Sequence, residues 1–319
     1  ADYLLYLLQT NRFEMPIKIP QDLPASDILE KEGVLLIKEH DAIRQDIRPL
    51  RILLLNLMPK KIETETQIAR VLAGSPLQIE MTLLAPSGHQ PKNTSKEHML
   101  DFYRKWEDIQ SEKFDGLIVT GAPIEQLPFE DVTYWNELCA IFNWSRTNVH
   151  GLFTLCWGAQ AALYHFYKIP KYQLPQKMFG VFQHKVKRNP SVLLHGLDDN
   201  FNTPVSRHTE NRISDFVDLP NLEVLIESDV SGICLIHDTK LRHLHMFNHL
   251  EYDSHTLHDE YLRDLSTGQD VNIPANYYPN NDSKRTPVNT WRGNGHLLFS
   301  NWVNFIYQTT PFLLKDIGK

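Results

Sequence analysis

Short apolar runs alternate with amphipathic stretches over the first half of the chain. "LRILLLNLM" (50–58) is followed by a helical pattern over about 62–74, "LQIEMTLLA" (77–85) by one over about 95–110, and "FDGLIVTGAP" (114–123) by one over about 131–145. "VHGLFTL" then leads into the alanine-rich "GAQAALYHF". Strand-length runs separated by helices of this size predict βαβ units in a parallel, doubly wound α/β sheet. Past residue 180 the runs shorten to "EVLIES" (223–228), "GICLIHD" (232–238) and "LRHLHMFNH" (241–249). Only a few residues separate them, which predicts antiparallel strands extending the same sheet. An Asn-, Pro- and Tyr-rich stretch and a final apolar helix, "GHLLFSNWVNFIYQ", close the chain. The expectation is one mostly parallel domain over 15–319, with 15–49 as an N-terminal segment and 270–319 as a closing segment.

Residues 1–14 stand apart. Their apolar run has no basic stretch before it and no small-residue cleavage site after it, and it is too short to span a bilayer. Met15 opens "MPIKIP", so 1–14 are expected to be a translated leader or cloning scar. The 319 residues suffice for a core without staples, and 42% hydrophobic with 22% charged residues suits a soluble globular protein. A net charge of −7 gives no broad basic footprint for nucleic acid or an anionic membrane. Three cysteines without CxxC spacing make neither a disulfide framework nor a metal site, and point to a reducing, cytoplasmic setting.

Catalytic groups in doubly wound sheets gather at the carboxyl ends of the strands. The rule selects three loops: Met58–Lys61, Thr120–Glu125 and Leu155–Gly158. In the last, Cys156 falls on a sharp strand-to-helix turn, where a side chain projects from the sheet and backbone N–H groups favour a thiolate or an oxyanion. A lone cysteine at a strand end is more often core packing; a base and its orienter would decide the matter. Of fifteen histidines, His249 in "MFNHLEYD" ends a strand-like run, with Glu251 two places on. Residues i and i+2 of a strand share a side, so the carboxylate can fix the imidazole's tautomer. Spacing alone also allows a strand-end histidine beside a solvated turn glutamate.

"TLCWGAQAAL" followed by "NHLEYD" resembles the class I glutamine-amidotransferase-like, flavodoxin-like fold. With "LRILLLNLMPKKIETE", "FDGLIVTGAP", "NYYPNND" and "WRGNGHLLFSNWVNF", the chain from Met15 to about Phe312 resembles the MetA family of homoserine O-acyltransferases. The resemblance implies ping-pong acetyl transfer from acetyl-CoA to L-homoserine, for methionine biosynthesis, with no bound cofactor or metal. Cys156 would carry the acyl group and His249 would be the base. The amide of Trp157 and the ammonium of Lys61 match the family's oxyanion site. Lys177, Ser206 and Arg263 match its amino-acid pocket, where an arginine can grip a carboxylate bidentately. Glu125 matches the position that separates acetyl users, which carry Glu, from succinyl users, which carry Gly; its bulk and charge oppose a succinyl tail. A homodimer working on small molecules is usual for the family.

Asn248 stands where the family usually has Gly, and Leu250 where a smaller residue is common, which places the shape of the acceptor pocket in question. L-Serine, one methylene shorter, is therefore an alternative acceptor, in a serine O-acetyltransferase of cysteine biosynthesis; succinyl-CoA is an alternative donor. Glutamine amidotransferase, hydrolase and non-catalytic binding protein are the remaining readings of the elbow and His-x-Glu pair.

Overall fold

The computed structural model describes residues 17–18, 23–31, 36–37, 48–87, 93–187, 191–268 and 270–318; the leader expected over 1–14 lies outside them. The strands are β1 (Ile17–Lys18), β2 (Leu36–Ile37), β3 (Leu50–Leu55), β4 (Ile79–Leu84), β5 (Tyr103–Arg104), β6 (Phe114–Val119), β7 (Val149–Leu155), β8 (Tyr172–Val186), β9 (Asn200–Glu210), β10 (Leu222–Ser228), β11 (Gly232–Asp238) and β12 (His243–Met246). The α-helices are α1 (Pro24–Lys31), α2 (Lys61–Leu72), α3 (Lys96–Phe102), α4 (Trp106–Ile109), α5 (Trp135–Asn148), α6 (Trp157–Tyr167), α7 (Thr256–Ser266) and α8 (Arg292–Thr309).

All the strands join one 12-stranded sheet in the order β2-β1-β4-β3-β6-β7-β12-β11-β10-β8-β9, with β5 paired to β4. Pairing is parallel from β2 through β12 and antiparallel from β12 through β9. The central strands β6 and β7 are buried along their whole length, as near-continuous apolar runs must be when helices cover both faces. α2 and α8 pack on one face and α5 and α6 on the other. Gly116 lets α8 come close, since a Cβ there would lie 2.9 Å from the Trp302 ring and 2.8 Å from Ile52. The doubly wound expectation holds, and one sheet makes the described residues one domain.

Three stretches differ from the sequence reading. The helix expected over 95–110 is broken, because Tyr103 leaves the helix to pair with Leu83 of β4 and its buried hydroxyl donates to Glu65 at 2.5 Å. The 241–249 run is antiparallel to β11 as expected, but it lies parallel to β7 on its other side. The hairpin β8–β9 was not anticipated. Pro175 and Pro204 interrupt its pattern, and β8 alternates polar and apolar only in part, features tolerated towards the edge of a sheet.

Strand order turns this architecture into a site. The chain runs from β3 to β4 on one side and then, by way of β5, crosses back past β3 to β6 on the other, so the strand order reverses at β3. The crevice outside the carboxyl ends at such a switch point is where ligands bind in open α/β sheets.

Candidate active site

Register brings the key residues together. Met246 of β12 lies opposite Leu155 of β7, and the Cys156 N–H donates to the Met246 carbonyl at 2.7 Å. The chain after β12 therefore leaves the sheet beside the turn that carries Cys156, which brings His249 to it. A second tie runs from the His249 N–H to the Pro204 carbonyl of β9, at 2.9 Å.

Cys156 has φ 50° and ψ −119°, a conformation that a residue with a side chain adopts at a cost of about 1–3 kcal/mol. Two glycines permit it. A Cβ on Gly158 would sit 2.6 Å from the Thr120 carbonyl oxygen, and one on Gly121 would sit 3.1 Å from the Cys156 Cβ and 3.7 Å from its Sγ. The elbow is thus wedged between the ends of β6 and β7. Trp157 is the first residue of α6, so its N–H has no intrahelical acceptor and remains available at the turn. Its indole is fully buried, packed near Phe129 and Tyr134.

His249 donates from Nδ1 to Glu251 Oε1 at 2.7 Å and lines the same cavity as Cys156. Burial would lower the imidazole pKa, but the charges of Glu251 and Cys156 and the hydrogen bond to Glu251 raise it well above the usual value. The imidazole is therefore set to hold a proton beside Cys156. Tyr252 stacks on the ring, centroids 4.0 Å apart and planes 13° from parallel, which holds the imidazole in place. A nucleophile, a base and an orienting carboxylate in this order can carry covalent acyl chemistry.

A cavity of about 590 Å³ opens over this turn, lined by Cys156, His249, Glu125, Lys177, Ser206 and Arg263 among others. Six of the nine residues singled out in the sequence thus share one cavity. Glu251 stands behind His249, and Trp157 follows Cys156 as the first residue of α6. Lys61 is different. Met58, Pro59 and Lys60 line the cavity, but Lys61 is 1% exposed and donates its ammonium to the Asn56 carbonyl. Burial lowers its pKa to about 8, against a smaller opposing effect of Glu65. The structure does not bring the Lys61 ammonium to the cavity wall, because the first turn of α2 directs it inward.

The concern over Asn248 and Leu250 also changes. Neither lines the cavity; both are buried. The Asn248 amide donates to His184 Nε2 at 2.8 Å, and Leu250 packs with the core. Alternation along the chain turns these neighbours of His249 away from the cavity that it faces.

On the opposite wall Lys177 donates to Glu260 at 2.8 Å and to Asp264 at 2.7 Å. Ser206 donates to Glu260 at 2.7 Å, and Arg263 lies 3.3 Å from Glu260 and 2.6 Å from Asp264. Glu260, Arg263 and Asp264 are i, i+3 and i+4 on α7 and so share a face. Glu125 forms another part of the wall, with Thr209 Oγ1 3.4 Å away. Burial raises its carboxyl pKa, while His208 and Arg207 act in the opposite direction. Sequence reasoning did not single out Gly121, Tyr252, Glu260 and Asp264, although "TGAP", "EYD" and "HDEYLRD" carried the signal. Among the described residues, no group of three or more His, Cys, Asp or Glu could hold a metal ion, and no helix is long and apolar enough to cross a membrane.

The model of the homoserine O-succinyltransferase family, HTS, matches residues 16–312. The chain belongs to this family. It is accordingly an acyltransferase. Within the family's relatives it is 56% identical over 305 residues to a homoserine O-acetyltransferase of Allorhizobium ampelinum, covering 96% of this chain and 99% of that one. Identity is also 56% to the homoserine O-acetyltransferase of Hyphomonas neptunium, over 96% of this chain and all of the other. A glutamine amidotransferase from Thermotoga maritima superposes with a TM-score of 0.55 at 10% identity, over 82% of this chain and 100% of that one. At that identity the likeness concerns the fold, and it agrees with the class I glutamine-amidotransferase-like architecture expected from the sequence.

Proposed function

We propose that this family member transfers an acetyl group from acetyl-CoA to the hydroxyl of L-homoserine through an acyl-Cys156 intermediate, giving O-acetyl-L-homoserine for methionine biosynthesis. The observation that carries the proposal is the strained Cys156 sharing a cavity with a His249 that Glu251 holds at 2.7 Å. The Cys156 thiolate attacks the thioester carbonyl, and collapse of the tetrahedral adduct expels the CoA thiolate, which takes the His249 proton. His249 Nε2 then accepts the proton of the homoserine hydroxyl as its oxygen attacks the acyl-cysteine. The second collapse returns the Cys156 thiolate. The Trp157 amide donates to each oxyanion, the Gly121 backbone closes over the same point, and Lys61, protonated at neutral pH, adds positive potential from behind the loop.

The acceptor is a zwitterion in this scheme. Arg263 and Lys177 take its carboxylate, Glu260 its ammonium and Ser206 a remaining polar edge, exchanging the bonds they make with one another in the free protein. Support for an acetyl donor comes from Glu125 in the cavity wall, where a carboxylate opposes a succinyl tail by volume and charge, and from relatives named homoserine O-acetyltransferase. Burial of Asn248 and Leu250 away from the cavity supports keeping homoserine ahead of the serine alternative. The test is steady-state kinetics with homoserine and serine, each against acetyl-CoA and succinyl-CoA. The highest kcat/KM is expected for homoserine with acetyl-CoA; a preference for any other pair would overturn that part of the proposal.

A further inference from the structure

We infer that Asp264 is a positioning residue for the acceptor half of the reaction, holding Lys177 and Arg263 as one clamp; the inference rests on the homoserine chemistry proposed above. Asp264 is 2% exposed, and each of its oxygens is committed to a different cation. Oδ2 accepts from Lys177 Nζ at 2.7 Å. Oδ1 accepts from Arg263 Nε at 2.8 Å and Nη2 at 2.6 Å. Binding the guanidinium along this side leaves Nη1 outside these bonds. Glu260, by contrast, gathers Lys177, Ser206 and Arg263 on its single atom Oε1.

The two carboxylates therefore have different jobs. A zwitterion entering the wall can displace Glu260 from the cations, because its carboxylate replaces Glu260 there and its ammonium pairs with Glu260. Asp264 has no such exchange: once the zwitterion has displaced Glu260, Asp264 is the protein carboxylate that still joins the two long, flexible cations. The Lys177 stem comes from β8, while Arg263 lies on α7 and is 52% exposed. Without Asp264 the pair would be joined only through the anion that exchanges on binding, so both would retain their charge but lose the fixed spacing that aims the hydroxyl. The charges also balance. Within this cluster Lys177 and Arg263 offset Glu260 and Asp264, which suits a neutral zwitterion over a simple anion.

The two halves of a ping-pong reaction can be read separately, since kcat/KM for acetyl-CoA reports acylation and kcat/KM for homoserine reports transfer. Asp264→Asn should lower kcat/KM for homoserine on the order of 10²-fold, mostly through KM, while kcat/KM for acetyl-CoA changes little. Combining it with Lys177→Met should cost less than the product of the separate losses, because both act on one clamp. Equal loss in both halves, or an unchanged kcat/KM for homoserine in a variant whose wild type transfers acetyl to homoserine, would overturn the role of Asp264. A wild type that forms the acyl-enzyme but does not transfer to homoserine would overturn the proposed acceptor, and this role with it.

Discussion

At the scale of single residues, the site depends on a cysteine in a backbone conformation that its neighbours impose. Gly158→Ala would push a methyl group against the Thr120 carbonyl, 2.6 Å from the ideal Cβ. It should cost about 1–3 kcal/mol, measured as a fall in denaturation midpoint, and it should slow acylation by displacing the Trp157 amide. His249→Ala should reduce kcat roughly 10²–10⁴-fold, and Glu251→Gln should reduce it less, since the carboxylate orients the base without itself receiving the substrate proton. Near-wild-type turnover in His249→Ala would remove His249 from the mechanism. Glu125→Gly should shift kcat/KM toward succinyl-CoA, because it deletes both a wall and a like charge. An unchanged ratio of acetyl-CoA to succinyl-CoA would leave Glu125 without a role in choosing the donor.

At the scale of elements, what the sequence made legible follows how much of each pattern a single environment controls. β3, β6 and β7 are buried by helices on both faces, so each is a plain apolar run, and the elbow after β7 stands out against it. The β8–β9 hairpin carries Lys177 and Ser206, but its mixed exposure and its prolines hide the strand period. Those two residues were identifiable through the family motifs and not through local pattern. Gly121 and Asp264 lay further from view, because their significance is a contact with an element distant in sequence: the Cys156 turn for one, and Lys177 for the other. Lys61 shows the reverse case. Its place at a strand's carboxyl end is real, yet the helix start turns its ammonium towards Asn56. α8 packs on the sheet. Trp302 is 1% exposed and lies 5.3 Å from Phe153 of β7, ring to ring. Trp302→Ala should therefore destabilise the fold by about 3–5 kcal/mol, readable by urea unfolding, with the surviving folded fraction still able to acylate.

At the scale of the whole molecule, acid should unfold the protein partly through buried histidines that do not line the cavity. His184 is fully buried; its Nδ1 donates to the Phe182 carbonyl at 2.9 Å and its Nε2 accepts from Asn248 and Ser231. His245 is fully buried too, with Thr154 on Nδ1 at 2.7 Å and no partner on Nε2. Burial lowers both pKa values from 6.5 to about 4. Between these limits the unfolded chain binds more protons than the folded one, so stability falls as pH drops from 6.5 to 4, and this contribution is flat below that. The loss is on the order of 3 kcal/mol for each histidine at about 1.4 kcal/mol per unit, and His184→Gln should flatten part of the decline in a pH series of unfolding midpoints. The same molecule must still form its acyl intermediate for the proposed chemistry to hold. Rapid-quench intact-mass measurement with acetyl-CoA and no acceptor tests this most directly. One acetyl group should appear on wild type, map to Cys156, be absent in Cys156→Ala, and disappear when homoserine is added. Normal turnover with no adduct, or an adduct that homoserine does not discharge, would contradict transfer through Cys156.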